Sequence, residues 1–158
     1  MTNGMNVPVL VIGAGPTGLT LAIMLRRYGI DIRIIDRNAA PAEVSKALAV
    51  WSASLEVLSG MGVVDTFLAS GTRLKALIAG DGARKLATLS VGEGIDSPYP
   101  YPLLLPQSVT EAILTDHLET LGTSIERGVE LVGLDQDGEG VTATLKRPDG
   151  SEEVVRDA

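Results

Sequence analysis

The sequence predicts an α/β fold built on a parallel sheet, and three observations predict it. A short aliphatic run, Val9-Leu-Val-Ile12, passes straight into a glycine turn. An apolar helical stretch follows at once, and a second aliphatic run ends in an acid, Asp36. Strand, turn, helix, strand within about forty residues is the pattern of a right-handed βαβ unit. The composition allows it: 158 residues, 45% apolar and 21% charged, suffice for one domain with a real core.

Composition also excludes several chemistries. With no Cys there is no disulfide, thiolate nucleophile or thiolate metal site, and a reducing cytoplasm is compatible. A single His117 makes a metal cluster and a Ser-His-Asp triad poor readings, so no metal site is expected. The net charge of −7, with scattered Lys and Arg, disfavours nucleic acid as a partner. The apolar stretch 7–25 has the length of a membrane span, but Pro8, Gly13, Gly15, Pro16 and Gly18 break it, and no basic segment precedes it. No membrane association is expected.

The elements follow in order. Residues 1–6 read as a loose tail. Residues 8–12 read as a buried parallel strand. Residues 16–28 read as a helix, with Pro16 suited to its first turn and Gly29 to its stop. Residues 31–35 form the second strand and 38–46 a loop. Short helices are expected at 52–61 and 63–70, then a hairpin, 74–79 with 84–90, across Gly80-Asp81-Gly82. Residues 93–102 hold three prolines and read as loop, and 103–105 as a short extended run. A helix is expected over 109–121, with Ser108 and Glu111 as a capping box. Residues 124–127 read as the third strand, and 129–134, 141–146 and 152–156 as a β-meander.

The chemistry lies in Gly13-Ala-Gly15-Pro-Thr-Gly18 together with Asp36. G-x-G-x-x-G alone is a weak signal. After a strand, opening a helix, and followed at the end of the next strand by an acid, it is the fingerprint of a Rossmann-like dinucleotide site. Gly13 permits the turn, Gly15 lets a pyrophosphate approach the backbone, and Gly18 lets helix and strand pack closely. The N–H groups beyond Pro16, Thr17 among them, face the phosphates with the positive end of the helix dipole behind them. Asp36 can accept from an adenosine ribose, and its charge disfavours a 2′-phosphate. FAD and NAD both satisfy this motif.

Four stretches carry a further resemblance: Val11-Ile-Gly-Ala-Gly-Pro-Thr-Gly-Leu19; Ile35-Asp-Arg37; Ser45-Lys-Ala-Leu-Ala-Val50 leading to Leu55-Glu-Val-Leu58; and Leu105-Pro-Gln-Ser108 leading to Glu111-Ala-Ile-Leu114. Together the chain resembles the single-component FAD-dependent monooxygenases of the aromatic hydroxylase type, such as phenol, hydroxybenzoate and polyketide hydroxylases. The resemblance implies FAD as cofactor, NAD(P)H as transient electron donor, and O₂ and a small aromatic molecule as substrates. It implies a flavin hydroperoxide as the hydroxylating species. Arg37 beside the acid, Lys46 and Gln107 would touch the cofactor; their ordinary readings are a solvated loop cation and a polar residue before a helix. Ala53 stands where many relatives have Arg. His117 reads as structural, and the resemblance names no catalytic residue here.

The resemblance also shapes the architecture. It makes residues 1–158 the N-terminal part of an FAD-binding domain, with 74–90 part of an inserted substrate-domain hairpin. The chain stops at Arg156-Asp-Ala158, before the Asp-Gly and Gly-Asp motifs of such proteins, so an incomplete domain and self-association through open edges are expected. Two alternatives stand beside this reading: an NAD-dependent oxidoreductase, and a non-catalytic nucleotide-binding module if the chain is complete.

Overall fold

The computed structural model describes residues 8–41, 49–82, 84–138 and 140–156. In chain order the elements are β1 (Val9–Ile12), α1 (Pro16–Arg27), β2 (Ile32–Asp36), β3 (Ala49–Val50), α2 (Ser52–Met61), α3 (Val64–Ser70), β4 (Thr72–Arg73), β5 (Ala76–Gly80), β6 (Lys85–Ser90), β7 (Leu103–Leu104), α4 (Gln107–Thr120), β8 (Ile125–Arg127), β9 (Glu130–Gln136), β10 (Val141–Lys146) and β11 (Glu152–Arg156). They divide into two compact units, residues 1–43 with 114–158, and residues 44–113.

The first unit holds the predicted parallel sheet in the order β1-β2-β8. Val11 pairs with Ile34 and Ile35 with Glu126, all in parallel register. Side chains alternate across a strand, so β2 serves two faces. On one face Val11 and Ile34 meet α1, whose Leu19, Ala22 and Ile23 are buried. A Cβ on Gly18 would overlap the Gly13 carbonyl oxygen and approach Val11. That is the close helix–strand approach for which the third glycine is needed.

On the other face lies the antiparallel meander, in the order β11-β10-β9, with a register shift between Thr144 and Leu145. Its Val129, Ala143, Leu145 and Val155 bury against Ile35, with Leu10 and Leu131 packed alongside. Full burial of each large aliphatic side chain is worth about 1.5–3 kcal/mol. The result is a helix, a parallel sheet and a meander stacked in layers, as α/β architecture requires.

The second unit contains α2 and α3, which bury Leu55, Leu58, Met61, Val64 and Phe67. Gly62, at φ 82°, ends α2 in the left-handed conformation that glycine tolerates. A small antiparallel sheet places β7 between β3 and β4. The hairpin β5-β6 pairs Leu77 with Leu89 and leaves Leu77, Ile78, Leu86 and Leu89 more than half exposed.

Two expectations change. Helix α4 begins at Gln107, two residues early, and the Val109 and Thr110 N–H groups both donate to the Pro106 carbonyl. Ser108 is therefore inside the helix and cannot act as its N-cap. Glu111 instead accepts from the Gln107 side-chain amide at 2.7 Å, one helical turn away. The two-residue strands β3 and β4 were not expected at all. The predicted tail, 1–6, and Lys46 within the predicted loop lie outside the described residues.

Candidate functional site

The site grows from the end of β1. Gly13 takes φ 98°, a conformation that a side chain would strain. Its N–H donates to the Ile35 carbonyl at 2.8 Å, so the turn is tied to β2 as soon as it leaves the sheet. The Ala14 N–H then donates to Asp36 Oδ2 at 2.8 Å, and the Asn38 N–H to Asp36 Oδ1 at 2.8 Å. Both carboxylate oxygens keep a further lone pair for another donor. Arg127, level with Asp36 in the β2–β8 register, holds Nη1 at 3.8 Å from Oδ2.

Gly15 is the N-cap of α1 and supplies no side-chain cap, and the first turn of the helix holds no acid. Its first N–H groups and the positive end of its dipole are therefore left for a ligand. A Cβ at Gly15 would meet nothing within 4 Å, whereas one at Gly18 would collide with backbone. The two glycines thus answer different needs, open space at Gly15 and close packing at Gly18.

Beside this turn is a cavity of about 330 Å³. Gly13, Asp36 and Arg37 line one side, and Val129, Glu130 and Leu131 of the meander side line the other. The Gly128 N–H donates to the Asn38 carbonyl at 3.2 Å and the Val129 N–H to the Asp36 carbonyl at 3.0 Å, which brings the two walls together. The contribution of Val129 and Glu130 was missed in the sequence. The available signal was Gly128, at φ 72°, directly after a strand predicted to neighbour β2. An adenosine group fits such a place: apolar wall for a base, a buried carboxylate for a ribose, and open backbone at Gly15 for phosphates.

The other predicted residues lie elsewhere in the chain. Gln107 belongs to the second unit and donates to the buried Glu111. His117 lies in the last turn of α4, half-buried, its carbonyl accepting from the Thr120 hydroxyl. Among the described residues, no group of three His, Cys, Asp or Glu is placed to hold a metal ion, and no helix is long and apolar enough to cross a membrane.

The chain is 41% identical over 148 residues to 6-methylpretetramide 4-monooxygenase of Streptomyces rimosus, covering 93% of this chain and 27% of that protein. Its fold is similar to the flavin-dependent monooxygenase PieE, solved with FAD and substrate, at a TM-score of 0.86 and 29% identity, over 96% of this chain and 29% of that one. It is similar also to OxyS anhydrotetracycline hydroxylase from Streptomyces rimosus, at a TM-score of 0.80 and 34% identity, over 96% and 30%. The chain thus spans under a third of the length of these relatives. The model of the FAD binding domain matches residues 6–157, taking in the glycine turn, Asp36 and both cavity walls. The open alternative at the motif, FAD or NAD, is thereby decided, and the chain belongs to the FAD binding domain family.

Proposed function

We propose that this chain forms the FAD-binding portion of a flavin-dependent monooxygenase that hydroxylates a phenolic or polyketide-like aromatic substrate, with O₂ as co-substrate and NADH or NADPH as electron donor. The likeness to a polyketide monooxygenase at 41% identity, extending over 93% of this chain, carries the reading. Bound FAD supplies the redox and oxygen chemistry. The chain's own residues bind and orient it. The Thr17 and Gly18 N–H groups at the start of α1 take the pyrophosphate, and Gly15 gives it room. The spare lone pairs of Asp36 take the ribose hydroxyls, while Arg37, Val129 and Leu131 enclose the adenine. Lys46 and Gln107 belong to the same proposal as contacts nearer the flavin. Residues 74–90 would belong to the substrate-binding part, within a chain whose 1–158 form the first part of the FAD-binding domain. A cytoplasmic location completes the proposal, checked by fractionation.

The test uses the full-length protein of which residues 1–158 form the FAD-binding portion, reconstituted with FAD. NAD(P)H oxidation in air should depend on an added polycyclic phenol, and mass spectrometry should find one oxygen atom added to it. Oxidation that releases only hydrogen peroxide with every phenol tried would refute the hydroxylase reading. Asp36→Ala should weaken FAD binding by about 1–3 kcal/mol, the worth of a charge-assisted hydrogen bond. Equal FAD affinity by flavin fluorescence would remove Asp36 from the site. Residues 1–158 alone should self-associate through the exposed Leu77, Ile78, Leu86 and Leu89. A monomer in light scattering would count against that.

A further inference from the structure

The charged side chain of Arg33 lies between the parallel sheet and the meander. Arg33, on β2, shares the meander face with Ile35, and its side chain is only 5% exposed. Its Nε and Nη2 donate to Glu126 Oε1 and Oε2 at 2.5 and 2.8 Å. Its Nη1 and Nη2 donate to Glu153 Oε1 and Oε2 at 2.8 and 2.9 Å. One guanidinium therefore holds two carboxylates, each in bidentate fashion. Glu126 lies on β8, in the parallel sheet, and Glu153 on β11, in the meander. Arg147 adds a second hold on Glu153 at 2.6 Å. The Glu153 carboxyl is held below its ordinary range, first by Arg33. The hydrogen bonds that Arg33 donates to Glu126 and Glu153 hold its guanidinium firmly protonated.

The ionic clamp and the cavity lie at opposite ends of the same interlayer space. Arg33 is the second residue of β2 and Asp36 the last, about 10 Å further along at the usual strand rise. Between them the layers meet through Ile35, Leu145 and Val155. Apolar contact is non-directional and permits sliding, whereas a doubly bidentate guanidinium permits one geometry. Glu126 is also three residues before Val129, so the strand that Arg33 grips runs directly into the far wall of the cavity.

We propose that Arg33 is a positioning residue for the adenosine end of FAD, clamping meander to sheet so that the wall at Val129, Glu130 and Leu131 stands at the right distance from Asp36. This rests on the FAD-binding reading above. The clamp touches no part of the cofactor. It acts by fixing the separation of two layers, and only a planar fork with its donors aimed at two carboxylates can do that.

The test is ligand competition on the full chain, with FAD, ADP and inorganic pyrophosphate as probes. Pyrophosphate needs only the glycine turn and α1. ADP needs the far wall as well. Arg33→Lys keeps the charge and loses the fork. The triple variant Arg33→Met, Glu126→Gln, Glu153→Gln removes all three charges together and so avoids leaving unpaired carboxylates. In both variants the dissociation constants for FAD and ADP should rise about tenfold, while that for pyrophosphate stays within about twofold, since small misplacements act strongly on a shaped site. Unchanged ADP binding would overturn the proposal and leave the FAD reading intact. Equal weakening of ADP and pyrophosphate would overturn it in favour of general structural support. Failure of the wild-type chain to bind FAD or ADP would overturn both.

Discussion

The two faces of strand β2 solve the same packing problem in different ways. On the α1 face the buried contacts are those of Val11, Ile34, Leu19, Ala22 and Ile23, and Gly18 lets the helix approach until backbone meets backbone. On the meander face aliphatic contact covers only the middle, with the Arg33 clamp at one end and the cavity at the other. The first face has no freedom left, and it bears the glycine turn, whose geometry must not vary. The second has a fixed end and an open end, where Val129, Glu130 and Leu131 face Asp36 across the cavity. Rigidity comes from steric closure on one side and from directional bonding on the other.

The largest expected effect tests the closed face. Gly18→Ala places a Cβ against the Gly13 carbonyl, which is backbone and cannot swing aside. We expect a loss of about 3 kcal/mol or more in denaturant unfolding, with loss of FAD retention, as overpacking without relief demands. A variant with an unchanged midpoint would mean that α1 can lift off the sheet. Next comes the pair Ile34→Ala and Ile35→Ala, adjacent residues, both essentially fully buried, on opposite faces. Each should lose about 2–5 kcal/mol of stability by leaving a cavity. Ile35→Ala should in addition weaken ADP binding relative to Ile34→Ala, because only Ile35 borders the ligand cavity. Equal ADP affinities in the two variants would erase the distinction between the faces.

A smaller effect concerns pH. The Glu153 carboxyl is depressed from its ordinary value of 4.5, chiefly by Arg33. A depressed acid stabilises the fold fully above its unfolded value, and that stability is lost as pH falls through the folded one. Wild type should therefore lose stability below about pH 4.5 more steeply than Glu153→Gln, whose curve should be flatter there. Parallel curves in acid titration would show that the clamp does not contribute. The smallest effect on stability is expected for Gly15→Ala, at φ −78° with open space around its Cβ. Its unfolding midpoint should move by no more than about 0.5 kcal/mol, the ordinary range for a side chain that meets nothing. FAD binding should nevertheless fall, because the methyl group stands where the pyrophosphate would lie. A variant that binds FAD as wild type does would show that the phosphates pass elsewhere.

How much of this could be read in the sequence depended on the range of the interactions. The unit from β1 to β2 was legible because turn, helix and acid lie close together and each has a local physical signature. The meander was legible from its alternation and turns. The sheet of β3, β7 and β4 was not: its strands have two residues each, too few for any period, and their partners come from distant parts of the chain. The capping box at Ser108 matched the local rule, but Pro106 and Gln107 begin the helix sooner. At the site, Asp36 was legible as the acid, yet not as the residue that ties down the Ala14 amide. Nothing local marks Arg33 for its role, since its partners are 93 and 120 residues away.

That last separation has a consequence for synthesis. A ribosome adding about 5–20 residues per second needs about 6–24 s to go from Arg33 to Glu153. Until the meander has followed, the face of β2 that it later covers is without its cover, a β-rich stretch, Ile32-Arg-Ile-Ile35, of the kind that pairs with other nascent chains. The guanidinium sits in the middle of it, solvated and charged, and a charge within such a segment opposes intermolecular pairing. The same side chain thus acts twice: as a gatekeeper while the polypeptide is being made, and as a clamp once Glu153 has arrived.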